Sequence, residues 1–158
     1  MELVRRATPE DGRDIASRIR SADRREALDY VGVPPTVLLP LAAKKEGTMV
    51  GLDAEGVPQV MLGVEPVIGT PNMGIVWLVA TKELENNRKA QMRFLRASRA
   101  ILERLQEQYP ILGNYVDERN ELHLKWVKWL GFKIIKRVER WGWRGKPFLQ
   151  IIRTRETI

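Results

Sequence analysis

Apolar positions along this chain recur with two periods, and the switches between them mark out its elements. Glu2 to Arg6 predicts a short first strand. Thr8-Pro9-Glu10-Asp11 opens a helix: Thr8 offers a side-chain cap, Pro9 suits the first turn, and the two acids favour the positive end. That helix runs through Ile15 and Ile19. Ser21 offers a second cap, for a helix from Ala22 to Tyr30 stopped by Gly32 and Pro34-Pro35. Thr36 to Lys45 predicts a third short helix, closed by Gly47, with Pro40 in its first turn. Thr48 to Asp53 and Pro58 to Val64 read as two strands of a hairpin joined by Ala54-Glu55-Gly56. Ile68 to Met73 is a Gly/Pro/Asn loop, and Ile75 to Thr81 is apolar nearly throughout, as a central strand should be.

Arg88 to Gln108 is the longest helix. Phe94, Ala97, Ile101 and Leu105 form its apolar stripe, with Leu95, Ser98 and Leu102 beside it, and Pro110 ends it. Ile111 to Val116 is a strand feeding a helix that starts at Asn120 and stops at Gly131-Phe132. Lys133 to Val138 and Phe148 to Arg153 form a last strand pair around Trp141-Gly142-Trp143-Arg144-Gly145. The order is that of an α+β fold with a mixed central sheet flanked by helices, in a single domain spanning 1–158.

Composition narrows the classes further. At 44% hydrophobic and 30% charged, the chain has the balance of a soluble globule. Its longest apolar stretches, Val37 to Ala43 and Ile75 to Ala80, are far short of the ~20 residues of a spanning helix. The start lacks the pattern of a signal peptide, so the cytoplasm is the expected place of synthesis. The absence of cysteine excludes disulfides, thiolate metal sites and cysteine nucleophiles, and no metal site is expected.

The net charge of +7 is concentrated in two places, Arg88 to Arg104 and Lys125 to Arg155. Lys89, Arg93 and Arg96 share one helix face, where Glu85 would pair with Lys89 at i,i+4; they suit phosphates or an acidic partner. Trp141, Trp143 and Arg144 at a hairpin tip suit a protein interface better than nucleic acid, because two exposed indoles would be costly without a partner. His123, the one histidine, lies among Trp126 and Trp129 and reads as a packing residue rather than a base.

Asn120 with Gly131-Phe132 resembles the last motif of GNAT-class N-acetyltransferases, N-x-x-A-x-x-(L/F)-Y-x-K-x-G-F, and the element order resembles that fold throughout. The resemblance implies an acyl-CoA N-acyltransferase-like domain. Acetyl-CoA would then meet Val79, Thr81, Arg88, Lys89, Asn114 and Asn120, and the catalytic candidates would be Glu65, as general base, and Tyr115. Two departures imply a degenerate acetyl-CoA site. Val127 stands where the class carries a proton-donating tyrosine, and valine transfers no proton. No glycine lies between Gly74 and Gly113, so Gln91 and Arg93 stand where small residues would admit a pyrophosphate.

A second set of residues carries a closer likeness: Trp77 to Thr81 with Leu84, Tyr109-Pro110, Leu112, Asn114 to Asp117, Arg119-Asn120, and Trp126 with Trp129 to Phe132. These resemble the internal virion protein A family of podovirus-type coliphages. That likeness implies a virion assembly, internal or head–tail component that contacts portal, tail or internal proteins, in the virion and in the host cytoplasm during assembly. It implies no cofactor. An active acetyl-CoA-dependent N-acetyltransferase and a basic nucleic-acid-binding module are the alternatives.

Overall fold

The computed structural model describes residues 3–155, so the Glu2 start expected for the first strand lies outside the described residues. In chain order the elements are β1 (Val4–Arg6), α1 (Pro9–Ser17), α2 (Ser21–Tyr30), α3 (Pro35–Ala42), β2 (Met49–Leu52), β3 (Pro58–Val67), β4 (Thr70–Ala80), α4 (Lys82–Glu85), α5 (Arg88–Gln108), β5 (Ile111–Asp117), α6 (Glu121–Trp129), β6 (Lys133–Trp141) and β7 (Lys146–Thr154). The strands form one mixed sheet in the order β1-β2-β3-β4-β5-β7-β6. The fold class read from the sequence is the one observed.

Strand alternation divides the core into two layers. Val60, Leu62, Val76 and Leu78 face Leu95 and Leu102 of α5 and Trp126 and Val127 of α6. Val50, Met61, Trp77 and Val79 face Ile15, Ala16 and Leu39 from α1 and α3. Helix α1 lies so close to α3 that a side chain at Gly12 would meet the Leu39 carbonyl carbon at 2.7 Å. Its start is the expected one. Thr8 Oγ1 accepts from the Asp11 N–H at 3.3 Å, and Asp11 returns the bond to the Thr8 N–H at 2.8 Å.

The stop of α6 also matches. Gly131 has φ +95°, and the Phe132 N–H reaches back to the Val127 carbonyl at 3.0 Å. This is a glycine-terminated turn that satisfies the last carbonyls of the helix.

Several expectations are corrected. Ser21 is the first residue of α2 rather than its cap; Arg20 holds the cap position without a side-chain bond, because its guanidinium is buried elsewhere. Pro40 lies in the second half of α3, not the first turn. Residues 68–73 are not a loop: β3 and β4 turn over Ile68-Gly69 and pair from Val67–Thr70 onward. Those strand ends overhang the core, so the exposed Thr70, Pro71 and Asn72 carry no burial cost and mimic a loop in sequence. Glu85 and Lys89 do not share a helix, since α4 ends at Glu85 and α5 begins at Arg88. The buried face of α5 is centred on Leu95, Ser98, Leu102 and Gln106, rotated from the Phe94–Leu105 stripe, which is only partly buried.

Candidate functional site

The one parallel pairing among the described residues, β4 with β5, holds for three residue pairs, Met73–Ile111, Gly74–Leu112 and Ile75–Gly113, and then the strands part. A gap of this kind leaves backbone groups without ladder partners, and Asn114 takes them up. Its Nδ2 donates to the Val76 carbonyl at 2.8 Å, while Oδ1 accepts from the Tyr115 N–H at 2.7 Å and the Tyr30 hydroxyl at 3.2 Å. Tyr115 is stacked on Trp141 with ring centroids 3.7 Å apart. Between the parted strands and the two helices only about 50 Å³ remains, bordered by Asn114, Val127 and Trp126 among others. Phe94 packs edge-on against Trp126 at 5.3 Å and helps to fill this layer.

At the end of β4 the chain turns toward α5. Thr81 is buried, and its hydroxyl is bound to Gln59 rather than turned outward. Val79 pairs with Met61, and its side chain packs in the α1–α3 layer. Two side chains fold over the N-terminus of α5. Asn87 Oδ1 accepts from the Ala90 N–H at 3.0 Å, and Gln91 Nε2 donates to the carbonyls of Leu84 and Glu85, each at 2.9 Å. Arg88 and Lys89 are exposed here, and neither has a carboxylate partner among the described residues.

Beneath this turn lies a charge cluster that spacing did not reveal. Arg20 is 2% exposed and contacts Asp23 at 2.9 Å, Glu85 at 3.3 Å and the Asn120 side-chain carbonyl at 3.3 Å, with Trp126 beneath its guanidinium. Asp23 Oδ2 accepts the Ala80 N–H at 2.9 Å and Oδ1 accepts from Asn120 Nδ2 at 2.9 Å. Asn120 therefore sits at the start of α6 without capping it through its side chain. Its side chain instead forms a buried tie between α2, β4 and α6. Only Arg20 and Asp23 are near in sequence, an i,i+3 pair that any surface helix could carry.

A neighbouring network fixes the end of β5. Glu26 accepts the Asp117 N–H at 2.6 Å; Asp29 is bound by Arg119 and, at 3.1 Å, by Arg144. Burial opposes the Asp29 charge, but Arg119 and Arg144 outweigh it and hold its pKa below the ordinary value. His123 is buried with Nδ1 3.5 Å from Glu26 Oε2, a distance for an ion pair more than a hydrogen bond. Burial and Arg20 oppose the imidazolium, yet Glu26 and Asp23 outweigh them and raise its pKa above 6.5. Asp23, Glu26 and His123 place ligand atoms within 4.8 Å of one another. Both Asp23 oxygens are already engaged and a fixed guanidinium sits beside them, so the donor set does not fit a divalent cation.

The sign of this pair gives a measurable consequence. A raised folded pKa contributes stability that is fully present below the ordinary value of 6.5 and is lost as pH rises through the folded value. Urea unfolding of the wild-type chain should therefore show stability falling above that point relative to His123→Gln. A difference between the two that does not change with pH would refute the charged pair.

The remaining sequence candidates separate. Glu65 pairs with Lys45 on the surface, opposite Ile75 on β4. The hairpin tip is not an exposed pair of indoles. The N–H groups of Trp143 and Arg144 donate to Tyr30 and Asp29 carbonyls at 3.0 Å each, capping the end of α2, and Trp141 is turned inward onto Tyr115. Trp141, expected at an exposed tip, is only partly exposed because it stacks inward, and the exposed Arg144 side chain binds Asp29 beside the end of α2 that the tip satisfies. Trp143 stays 77% exposed, and Arg93 and Arg96 are exposed on α5.

A sheet whose central parallel strands part, with a long helix entering after the first and a short helix after the second, defines the GNAT acetyltransferase fold. Solved structures bear this out. An acetyltransferase of the GNAT family from Bacillus anthracis superposes with TM-score 0.73 at 10% identity, over 97% of this chain and 94% of that one. An aminoglycoside acetyltransferase AAC(6')-Ib in complex with coenzyme A and kanamycin gives 0.70 at 14%, over 98% and 95%. A ribosomal-protein-alanine N-acetyltransferase from Brucella melitensis gives 0.67 at 12%, over 97% and 99%. Identities this low establish the fold alone. The family is set by sequence: residues 59–137 match the family described as "Bacteriophage T7, probable scaffold protein Gp13", and the chain belongs to it. No curated protein sequence gives a significant match.

Proposed function

We propose that this chain acts in phage virion assembly through protein contacts, on an acetyltransferase scaffold whose acyl-CoA site is closed by its own side chains. The observation that carries the reading is the N-terminus of α5. A pyrophosphate there requires free backbone N–H groups and room to approach them. Instead Asn87 takes the Ala90 N–H, and Gln91 folds back on Leu84 and Glu85. Val127, at the tyrosine position, is buried and carries no transferable proton. Membership of a scaffold family supports partnership with other phage proteins. The finer assignment, to an internal virion protein that meets portal, tail or internal proteins in the particle, rests on the phage likeness of Trp77 to Phe132. Arg93, Arg96 and Trp143 are the proposed contacts, because their side chains are exposed.

Titration calorimetry with acetyl-CoA tests the closed site. No binding is expected up to about millimolar ligand, a free energy weaker than about −4 kcal/mol. Micromolar affinity, lost when Ala90 is replaced by Trp and kept in Glu65→Ala, would establish the acetyltransferase alternative instead.

A further inference from the structure

We propose that the cleft between α5 and α6 receives an acidic segment of another protein, anchored by an apolar side chain. The proposal rests on the preceding reading that acyl-CoA does not occupy this space. The cleft has a volume of about 440 Å³, within the range of ligand pockets. Its floor is apolar, formed by Met92 and Leu95 of α5 and Leu122 and Trp126 of α6. An open groove between two helices with such a floor suits one or two bulky aliphatic or aromatic side chains from a partner.

The rim chooses the charge of that partner. Glu85 is the one acid at the mouth, and its carboxylate is turned to the buried Arg20 at 3.3 Å. Arg88 and Lys125 are the rim cations, both exposed and neither with a carboxylate partner among the described residues. A third positive charge stands behind the outer wall. Arg99 lies over the Trp129 ring at 4.2 Å and donates to the Trp129 carbonyl at 2.9 Å, which also fixes that indole. The free charge around an apolar floor is thus all positive, and it complements Asp and Glu side chains flanking the anchor.

Two other occupants fit less well. A second copy of a chain of net charge +7 would set cation against cation. A diphosphate at the helix end would compete with Asn87 for the Ala90 N–H, whereas carboxylates are served by side-chain cations alone.

Fluorescence anisotropy on the full chain tests this with a labelled 14-residue peptide that carries a central Leu-x-x-Phe between Glu and Asp residues. A second peptide with Lys and Arg at the acidic positions is the control. The acidic peptide should bind with Kd of about 10–100 µM and weaken as salt is raised. The double substitution Arg88→Glu/Lys125→Glu should weaken it at least about tenfold while leaving the unfolding midpoint unchanged. Arg104→Glu, farther along α5, should leave binding intact. Equal binding of the basic peptide, or indifference to the double substitution, overturns the proposal. If neither the acidic peptide nor acetyl-CoA binds, this proposal fails while the closed-site reading stands; if acetyl-CoA binds and displaces the peptide, the closed-site reading fails.

Discussion

Replacing Arg20 by alanine is expected to lower the unfolding free energy by about 3–5 kcal/mol, the range for breaking a buried ion pair by removing one partner. The reason is what the substitution leaves behind. Asp23 is 1% exposed and Asn120 fully buried, so neither can recover its lost bonds from water. Trp126 also loses the guanidinium beneath which it packs. On a domain whose total stability is of order 5–15 kcal/mol, that loss removes a large share. Urea denaturation followed by tryptophan fluorescence measures it. The companion Arg20→Met/Asp23→Leu double variant should regain only part, because the Ala80 N–H and the Asn120 amide still lose their acceptor. A loss below about 1 kcal/mol for Arg20→Ala would mean that the cluster is solvated and not the tie between α2, β4 and α6 described above.

That cluster also shows where sequence reading reaches its limit. Elements with strong local signals were legible: the Thr8–Asp11 start of α1 and the Gly131-Phe132 stop of α6 depend on residues close in sequence, and the span of α5 on the helical periodicity along its own length. The order of strands and helices followed, and with it the sheet. Arg20, Glu85 and Asn120 meet across separations of 65 and 100 residues, and nothing in local spacing distinguishes them from surface polar residues. Asn120 misled for a related reason. Its position before a helix is that of a cap, and only the buried guanidinium opposite explains why its side chain turns away. The hairpin tip was half read: Trp143 is exposed as expected, whereas Trp141 turns inward onto Tyr115, a residue 26 positions away that local spacing does not connect to it.

The site itself was half legible. The missing glycines and Val127 were legible in the sequence, but the bonds made around their positions were not. Asn87 takes the Ala90 N–H, Gln91 folds back on the Leu84 carbonyl, and Asn114 bonds the Val76 carbonyl. Bonds of this kind leave the strand–helix frame intact. On the proposed reading the scaffold is kept while its ligand site is lost, and the strongest test of that reading lies at the point where the strands part.

Asn114→Leu is expected to cost about 2–6 kcal/mol, since the Val76 carbonyl and the Tyr30 hydroxyl each lose a partner at about 1–3 kcal/mol per stranded group. Leucine fills similar volume, so the loss reports bonding rather than a cavity. Asn114→Ala separates stability from closure, because it also opens space between β4 and β5. Were Asn114 the sole barrier to acyl-CoA, the alanine variant would gain affinity. On the proposed reading Asn87 and Gln91 close the α5 terminus independently, so calorimetry with acetyl-CoA should still register no micromolar binding. Affinity should appear only when Asn87 and Gln91 are replaced by glycine in the same chain, which frees the Ala90 N–H and removes the Gln91 side chain from the helix end. Micromolar binding by Asn114→Ala alone would show that the strands by themselves decide access, and that the helix terminus was never the closed gate.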